Sequence, residues 1–325
     1  MLKWFVVPLL AMAALAQTST PTLPPADEIR IGEFYRLMPQ IVDKMWPDWS
    51  TTPAPLLLVT QQTEFLTHHP RPPADFKEVA TGIYARPRQF STNLLATFPA
   101  FGPPSVIVIG EPENTEAKAS TPWLFVVMHE HFHQLQDSQP GMFDAVRGLE
   151  LSGGDTTGMW MLNYPFPYKQ PEVARSFAEL RDSLLAALAE TDAAKFNAAA
   201  RKYIAGRKKF LAQLSNNDRK YLSFQLWKEG IARYTQVHSA ELAAQYQATP
   251  EYRALPDFEN FSAYASRARA QTLKELKQVD LATSERVVVY SWGAAEGFLL
   301  DRLNPKWKDS YFKNLFTLDP YFDQP

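Results

Sequence analysis

The spacing of apolar residues divides the chain into a first part with short β-prone segments and a second part that is almost wholly helical. Apolar residues at helical intervals predict a helix over residues 31–45, which Pro47 ends. Between residues 53 and 110, β-prone runs are separated by Pro and Gly, which is typical of a sheet. The predicted strands cover residues 56–60, 82–86, 93–98 and 105–109.

From Ser120 onward, the apolar spacing predicts helices. Ser120 offers an N-cap and Pro122 suits a first helical turn, so a helix is expected to run to about Ser138. The further predicted helices cover residues 172–190, 192–214, 218–247, 261–277 and 284–302. This order predicts one domain at 28–325 of the α+β class, with a β-containing lobe at 28–119 and a motif helix with a helical lobe at 120–325.

The first residues have the pattern of a secretory signal peptide. A charge at Lys3 precedes an apolar run, and residues 14–16 are Ala-Leu-Ala, the small-x-small form of a cleavage site. Residues 1–16 are therefore predicted to be a signal peptide and residues 17–27 a Pro/Thr-rich linker. We expect an exported protein, periplasmic or secreted, with no stable membrane insertion after cleavage. The alternative is a disordered or anchoring N-terminus.

Composition narrows the chemistry that the chain can perform. The sequence has no Cys, so disulfides contribute nothing, and a zinc site would have to use His and carboxylate ligands. A formal net charge of −2 gives no indication of a nucleic-acid or anionic-membrane partner. A hydrophobic content of 46% is ordinary for a globular core. Oligomeric state is not indicated.

The pentapeptide His129-Glu130-His131-Phe132-His133 contains HExxH. On a helix, His129 and His133 lie one turn apart and can bind one ion, and Glu130 beside them is placed to take a proton from a water. On a strand, the three histidines would instead share one face and form a three-His site. The length of the segment and its helix-start residues favour the helix. His131 is then a buried or supporting histidine rather than a ligand.

Two further questions concern the remaining histidines and the third ligand. His68 and His69 are predicted to be a solvated loop pair rather than a metal site.

No His follows the motif at the spacing HExxHxxGxxH, so the third ligand should be a carboxylate. Glu229 is the best candidate, because the following Gly230 indicates close packing against another backbone. The alternatives are that Glu229 pairs with Arg233 one turn later, or that Glu150 is the ligand.

Taken together, these motifs resemble the gluzincin metallopeptidases, which include thermolysin-like enzymes and zinc aminopeptidases. Residues 229–232, Glu-Gly-Ile-Ala, are similar to the aminopeptidase segment that carries a glutamate ligand, and residues 290–294 are similar to its Tyr-x-x-Gly-Ala segment. The resemblance implies a zincin-like fold and a peptide or protein substrate. It also implies Zn²⁺ held by His129, His133 and Glu229, with Glu130 as general base and Tyr290 as a donor to the transition-state oxyanion. Alternatively, Tyr290 is a core aromatic residue.

The chain departs from this family in two places. Glu229 lies much farther from HExxH than in the aminopeptidases, and no GxMEN-like exopeptidase loop is present, for which Asn114 and Glu116 are not a convincing substitute. By analogy, residues 105–110 could run along the cleft and pair with an extended substrate. Two other functions stay open: a zinc hydrolase of a non-peptide amide or ester, and a non-catalytic exported binding protein on a zincin scaffold.

Overall fold

The computed structural model describes residues 20–323, so the predicted signal peptide at 1–16 lies outside the described residues. The first helix, α1, spans Pro25–Ile41 and begins earlier than the predicted residue 31. Proline at its start and two acidic residues in its first turn, Asp27 and Glu28, suit a helix N-terminus. The predicted linker at 17–27 therefore ends before Pro25 in the part that the structure describes.

A six-stranded mixed sheet follows α1. Its strands are β1 (Leu56–Val59), β2 (Thr63–Thr67), β3 (Lys77–Ala80), β4 (Ile83–Pro87), β5 (Leu95–Phe98) and β6 (Val106–Gly110). Their spatial order is β3-β4-β2-β1-β6-β5, with β1 and β6 parallel and the other neighbours antiparallel. The four predicted strands are confirmed within one or two residues, whereas β2 and β3 were not predicted.

The central strands β1 and β6 are buried on both faces. On one face, Leu56 and Leu58 join the main core together with the helices, and on the other face Leu57 and Val59 join a smaller cluster that includes Phe76. Alternate residues of a strand point to opposite faces, so these two apolar runs divide between the two clusters.

The remaining chain is helical, as the apolar spacing predicts. The helices after α1 are, in order from α2 to α13, Ser120–Asp137, Met142–Arg147, Trp160–Asn163, Pro171–Ala189, Ala193–Ala212, Asn216–Gln225, Ile231–Ala243, Pro250–Arg253, Phe261–Gln278, Leu281–Ser284, Val288–Leu303 and Asp319–Phe322. Short 3-10 turns occupy Val42–Lys44, Trp49–Thr51, Pro112–Asn114, Glu285–Val287 and Trp307–Lys313. Over the described residues, no helix has both the length and the apolar character needed to span a membrane.

The predicted helix at 218–247 is in fact three segments. A π-helical segment, Leu226–Gly230, connects α7 to α8 and contains Glu229. A π-turn widens the helix by one residue and frees backbone carbonyls from the α-helical pattern, and such turns are frequent at functional sites. Spacing alone does not reveal this change, because the apolar pattern continues through it.

The edge of the sheet beside α2 is formed by β5. The expectation that residues 105–110 pair with an extended substrate is wrong, because β6 lies between β1 and β5 and already pairs with both. β5 is the last strand of the described sheet, and its residue Thr97 contacts α2 at Glu130. The exposed backbone edge next to the HExxH motif therefore belongs to β5.

Candidate metal centre

His129 and His133 lie on α2 with their Nε2 atoms 3.2 Å apart. Both side chains are buried, in agreement with a helix that is buried over most of its length. The predicted helix at 120–138 is thus confirmed, and the strand alternative is wrong. The one-turn spacing of HExxH brings the two imidazoles together, as helix geometry requires.

His131 lies on the opposite side of α2, fully buried. Its ring stacks on Trp49 at a centroid distance of 5.1 Å, and its Nδ1 lies 2.9 Å from Oε1 of Gln134. Burial lowers its pKa to about 4, so the imidazole is neutral at physiological pH. His131 is a packed core residue, as predicted, and is not part of the His129 pair.

Glu229 completes a three-residue group with the two histidines. Its Oε2 lies 3.3 Å from Nε2 of His133 and 3.7 Å from Nε2 of His129. Both distances lie within the about 4 Å expected between two ligand atoms that share one ion. His129, His133 and Glu229 form a buried group whose ligand atoms all lie within 4.8 Å of one another and which could hold a metal ion. Glu150 is exposed and is not in this group.

A contact between two glycines positions Glu229. A Cβ atom on Gly230 would lie 2.6 Å from Cα of Gly293, and one on Gly293 would lie 2.5 Å from Cα of Gly230. Neither position can carry a side chain without moving a backbone, so the close packing predicted for Gly230 is confirmed. The contact joins the π-helical segment to α12 and brings Tyr290, one turn before Gly293, to the side of Glu229.

Gln136 orients His133 and holds the π-helical segment. Its Nε2 donates to the carbonyls of Trp227 and Lys228 at 3.3 and 3.2 Å, and its Oε1 lies 2.7 Å from Nδ1 of His133. Because the amide nitrogen faces the carbonyls, Oε1 accepts from His133, whose Nδ1 then carries the proton. The Nε2 lone pair of His133 therefore points toward Glu229, as in metal-binding histidines.

The electrostatics of the group favour a bound cation. Burial lowers the pKa of His129; it opposes ionisation of His133 too, but there the charge of Glu229 outweighs burial and raises the pKa. Burial raises the pKa of Glu229, yet the two imidazoles together hold it well below its usual range. Buried Nδ1 of His129 has no hydrogen-bond partner within residues 20–323. Two nitrogen lone pairs and a carboxylate, with no sulfur, fit Zn²⁺ or a similar divalent ion.

Glu130 lies beside the group without belonging to it. The hydroxyl of Thr97 on β5 lies 2.9 Å from Oε2 of Glu130 and 2.9 Å from its backbone carbonyl. Thr97 therefore holds one carboxylate oxygen at the edge of the sheet, while the other oxygen remains available to accept a proton. Thr97 could not be identified from the sequence, because its approach to α2 depends on the order of the strands.

Tyr290 lies on the other side of His129. The two ring centroids are 6.2 Å apart, and Nη2 of Arg286 donates to the Tyr290 oxygen at 2.9 Å. Burial raises the pKa of Tyr290, so the phenol keeps its proton at neutral pH. Because Arg286 donates to the oxygen, the phenolic O–H is free to donate to another group. Arg286 was missed, although it lies one turn before Tyr290 in the sequence.

His68 and His69 do not form a solvated pair. His68 is exposed and stacks on Tyr35 at 3.7 Å, whereas His69 is buried and its Nδ1 accepts from the backbone N–H of Arg71 at 3.2 Å. The prediction is wrong for His69, because the turn after β2 directs its ring toward Phe101. Neither residue belongs to the metal-binding group.

Comparison of the chain with protein-family models, with curated proteins and with solved structures found no match. Function therefore has to be inferred from the geometry of the site itself.

Proposed function

We propose that this chain is an exported, zinc-dependent peptide hydrolase with a zincin-like fold and a gluzincin-type site. The observation that carries the proposal is the convergence of His129, His133 and Glu229 on one point, with Glu130 beside them on the same helix turn. A buried structural group would have no need of a second carboxylate at that place. Export, to the periplasm or outside the cell, rests on the pattern of residues 1–16.

Glu130 is placed to act as the general base. Zinc, when bound, would lower the pKa of a water to about 7 and polarise the scissile carbonyl. The carboxylate oxygen of Glu130 that does not contact Thr97 would accept a proton from the attacking water and later deliver it to the leaving amine. The Thr97 contact fixes the carboxylate during both transfers.

Tyr290 is placed to stabilise the transition state. Its free O–H would donate to the oxygen that becomes negative as the carbonyl is attacked. Arg286 holds the phenol in place and polarises its O–H by donating to the phenolic oxygen. The contribution would appear only during the reaction, so its loss should lower kcat more than it raises KM.

The edge strand β5 favours a peptide as substrate over a small amide or ester. β5 offers one row of backbone N–H and C=O groups in the described sheet, and Thr97 on this strand contacts Glu130. An extended peptide that adds to this edge would be held by main-chain hydrogen bonds across the catalytic carboxylate. A small ester has no backbone with which to use such an edge.

The first experiment is metal analysis of the purified mature chain after dialysis. We expect about one zinc per chain, because the group provides three ligand atoms at one point. A protein that lacks metal and also fails to take up added zinc would overturn the proposal.

The second experiment tests the mechanism with a general peptide substrate. Glu130→Gln should retain zinc and abolish hydrolysis, whereas Glu150→Gln at the exposed alternative carboxylate should behave as wild type. Tyr290→Phe should keep stability and zinc but lower kcat about 10²- to 10³-fold. Wild-type turnover in Glu130→Gln would exclude the mechanism, and turnover of esters without turnover of peptides would favour the non-peptide alternative.

A further inference from the structure

Two arginines flank Tyr290 at the candidate site. The guanidinium carbon of Arg286 lies 5.2 Å from the centroid of the Tyr290 ring, and that of Arg233 lies 6.0 Å from it. Arg233 follows Glu229 by one helical turn, and Arg286 precedes Tyr290 by one turn. The two helical segments that carry Glu229 and Tyr290 therefore each bring one positive charge to the same ring.

Neither guanidinium forms an ion pair in the part of the chain that the structure describes. Within residues 20–323, no carboxylate oxygen lies within 4.0 Å of either guanidinium. The expected alternative, an ion pair between Arg233 and Glu229, does not form, because Glu229 contacts the two imidazoles instead. Three arginines whose side chains are at most 9% exposed are paired with a carboxylate at 2.6–2.7 Å: Arg30, Arg86 and Arg207.

Some donors of the two arginines also lack strong acceptors. Nε of Arg233 is buried and has no hydrogen-bond partner in the described part of the chain. Among residues 20–323, Arg286 donates only to two neutral oxygens, Oε1 of Gln225 at 3.3 Å and the phenol of Tyr290. A buried donor without a partner costs free energy in the unliganded protein. That cost is removed when a ligand provides an acceptor.

A carboxylate is the ligand group that suits these donors. Guanidinium groups bind carboxylates through charge-assisted, often paired hydrogen bonds. Arg233 also lines a shallow surface groove with Tyr264 and Arg267, so groups in solution can approach Arg233. Glu275 lines the same groove but is beyond ion-pair distance of Arg233, and Arg267 is already paired with Glu259.

We propose that Arg233 and Arg286 bind a carboxylate of the substrate close to the bond that is cleaved. The inference rests on the proposed hydrolase function and specifies its substrate class: peptides with an acidic side chain or a terminal carboxylate beside the scissile bond. The Tyr290 ring lies 6.2 Å from the His129 ring, and one peptide residue spans about 3.5 Å. The carboxylate would therefore belong to a residue within one or two positions of that bond.

The selectivity test uses matched peptides that differ only in charge. One pair carries Glu or Gln next to the cleavage site, and a second pair carries a free or an amidated C-terminus at that position. We expect kcat/KM to be about 10- to 100-fold higher for the carboxylate member of one pair, and that pair identifies the source of the group. Equal rates within both pairs would overturn the inference and leave the hydrolase proposal intact.

Substitutions then assign the preference to the two arginines. Arg233→Gln should reduce the preference to near unity without loss of zinc, and Arg286→Lys should reduce it in part by removing the planar fork. Arg253→Gln, at an exposed arginine of α9, is the control for net charge and should keep the full preference. The ratio of rates is the readout because Arg286 also holds Tyr290. An unchanged ratio in both variants would exclude these arginines.

A binding measurement separates this inference from the proposed function. Metal-free protein is titrated with three compounds, and the change in melting temperature is measured: N-acetylglutamate α-amide has only the side-chain carboxylate, N-acetylglutamine has only the terminal carboxylate, and N-acetylglutamine amide has neither. We expect one of the two carboxylates to raise the melting temperature, the neutral amide to leave it unchanged, and Arg233→Gln to abolish the rise. This outcome would support the carboxylate site even in a protein that hydrolyses nothing. Equal responses to all three compounds would contradict it even in an active enzyme.

Discussion

Two buried glutamates on neighbouring helical segments are neutralised in different ways. Glu296 on α12 receives Nε of Arg207 at 2.6 Å and the hydroxyl of Tyr203, so the protein provides its own cation. Within the described residues, the partners of Glu229 on the π-helical segment at ion-pair distance are two imidazole nitrogens, at 3.3 and 3.7 Å. The fold therefore provides a guanidinium for the first carboxylate, although Oε2 of Glu296 has no hydrogen-bond partner within residues 20–323. The second carboxylate is placed to share a cation from solution with the two imidazoles.

The solvent exposure of the two carboxylates differs in line with the groups that surround them. The side chain of Glu296 is 0% exposed, and that of Glu229 is 19% exposed. An arginine is charged at every physiological pH and holds its carboxylate permanently, whereas a neutral imidazole offers a lone pair that a metal or a proton can occupy. A buried acid next to histidines thus indicates a site, and a buried acid next to arginine indicates a structural ion pair.

Substitution of Arg207, the partner of Glu296, is expected to change the free energy of unfolding most. Arg207→Met would leave Glu296 as an unpaired buried charge and should lower the free energy of unfolding by about 3–5 kcal/mol, measured by denaturant titration. The double variant Arg207→Met/Glu296→Met should recover much of this loss, since an apolar pair needs no partner. Zinc content of the folded single variant should stay at the wild-type value. A single variant of wild-type stability would remove the basis of the comparison.

Glu229→Gln should have the opposite profile. Zinc affinity should fall about 100-fold or more, because a direct ligand matters at least as much as its supporting partners. The free energy of unfolding of the metal-free protein should fall by less than in Arg207→Met, because the imidazole of His133, whose pKa Glu229 raises, can release its proton when the carboxylate is lost. Metal titration and denaturant titration measure the two quantities. Glu150→Gln is the control, and loss of zinc in that variant instead would transfer the ligand role to Glu150.

The parts of the site that could be predicted are those set by local spacing. One helical turn fixes the distance between His129 and His133, and a glycine in a helical stretch indicated the contact that positions Glu229. The α+β class and most helix positions followed from apolar periodicity for the same reason.

The parts that could not be predicted depend on contacts between distant segments. β2 was missed because its buried Glu64 breaks an apolar pattern, and only the fold shows that Arg86 neutralises it at 2.7 Å. The edge position of β5 follows from the order of strands, which alternation of residues does not encode. Thr97 therefore could not be assigned to the site from its own segment.

Two glutamines on α2, Gln136 and Gln134, provide a further comparison between a side chain at the candidate site and one in the core. Gln136 orients His133, and Gln134 contacts His131 in the same way while donating to the carbonyls of Pro55 and Ser105 at 3.0 and 2.9 Å. Both Gln136→Leu and Gln134→Leu should destabilise the fold, since each removes buried hydrogen bonds. Only Gln136→Leu should also weaken zinc binding, by about 10- to 100-fold in a metal titration. Equal zinc affinity in the two variants would show that Gln136 has no role in orienting the ligand.

A third carboxyl group, that of Glu111, avoids an unpaired negative charge by retaining its proton. Partial burial, followed by the charges of Asp27 and Glu113, raises the pKa of Glu111 to about 7. Arg30 cannot serve both acids, because its Nη1 is engaged with Asp27 at 2.6 Å. Glu111 thus resembles Glu229 in lacking a dedicated cation, but it belongs to no group of described residues that could hold a metal ion.

The smallest predicted effect follows from the sign of this shift. The folded-state pKa lies above the value of about 4.3 expected in the unfolded chain, so the folded state loses stability as pH rises from about 4.3 to about 7. Glu111→Gln removes this loss. The variant and wild type should unfold with equal free energies at pH 4, and the variant should be more stable at pH 8 by at most about 1 kcal/mol, because solvent screens a partly exposed group. Denaturant titrations at the two pH values measure the difference, in which all other titrations cancel. The prediction would be contradicted by a stability difference that does not change with pH, or by one that favours the wild type at pH 8. Either result would show that the carboxylate of Glu111 is ionised and solvated in the folded protein.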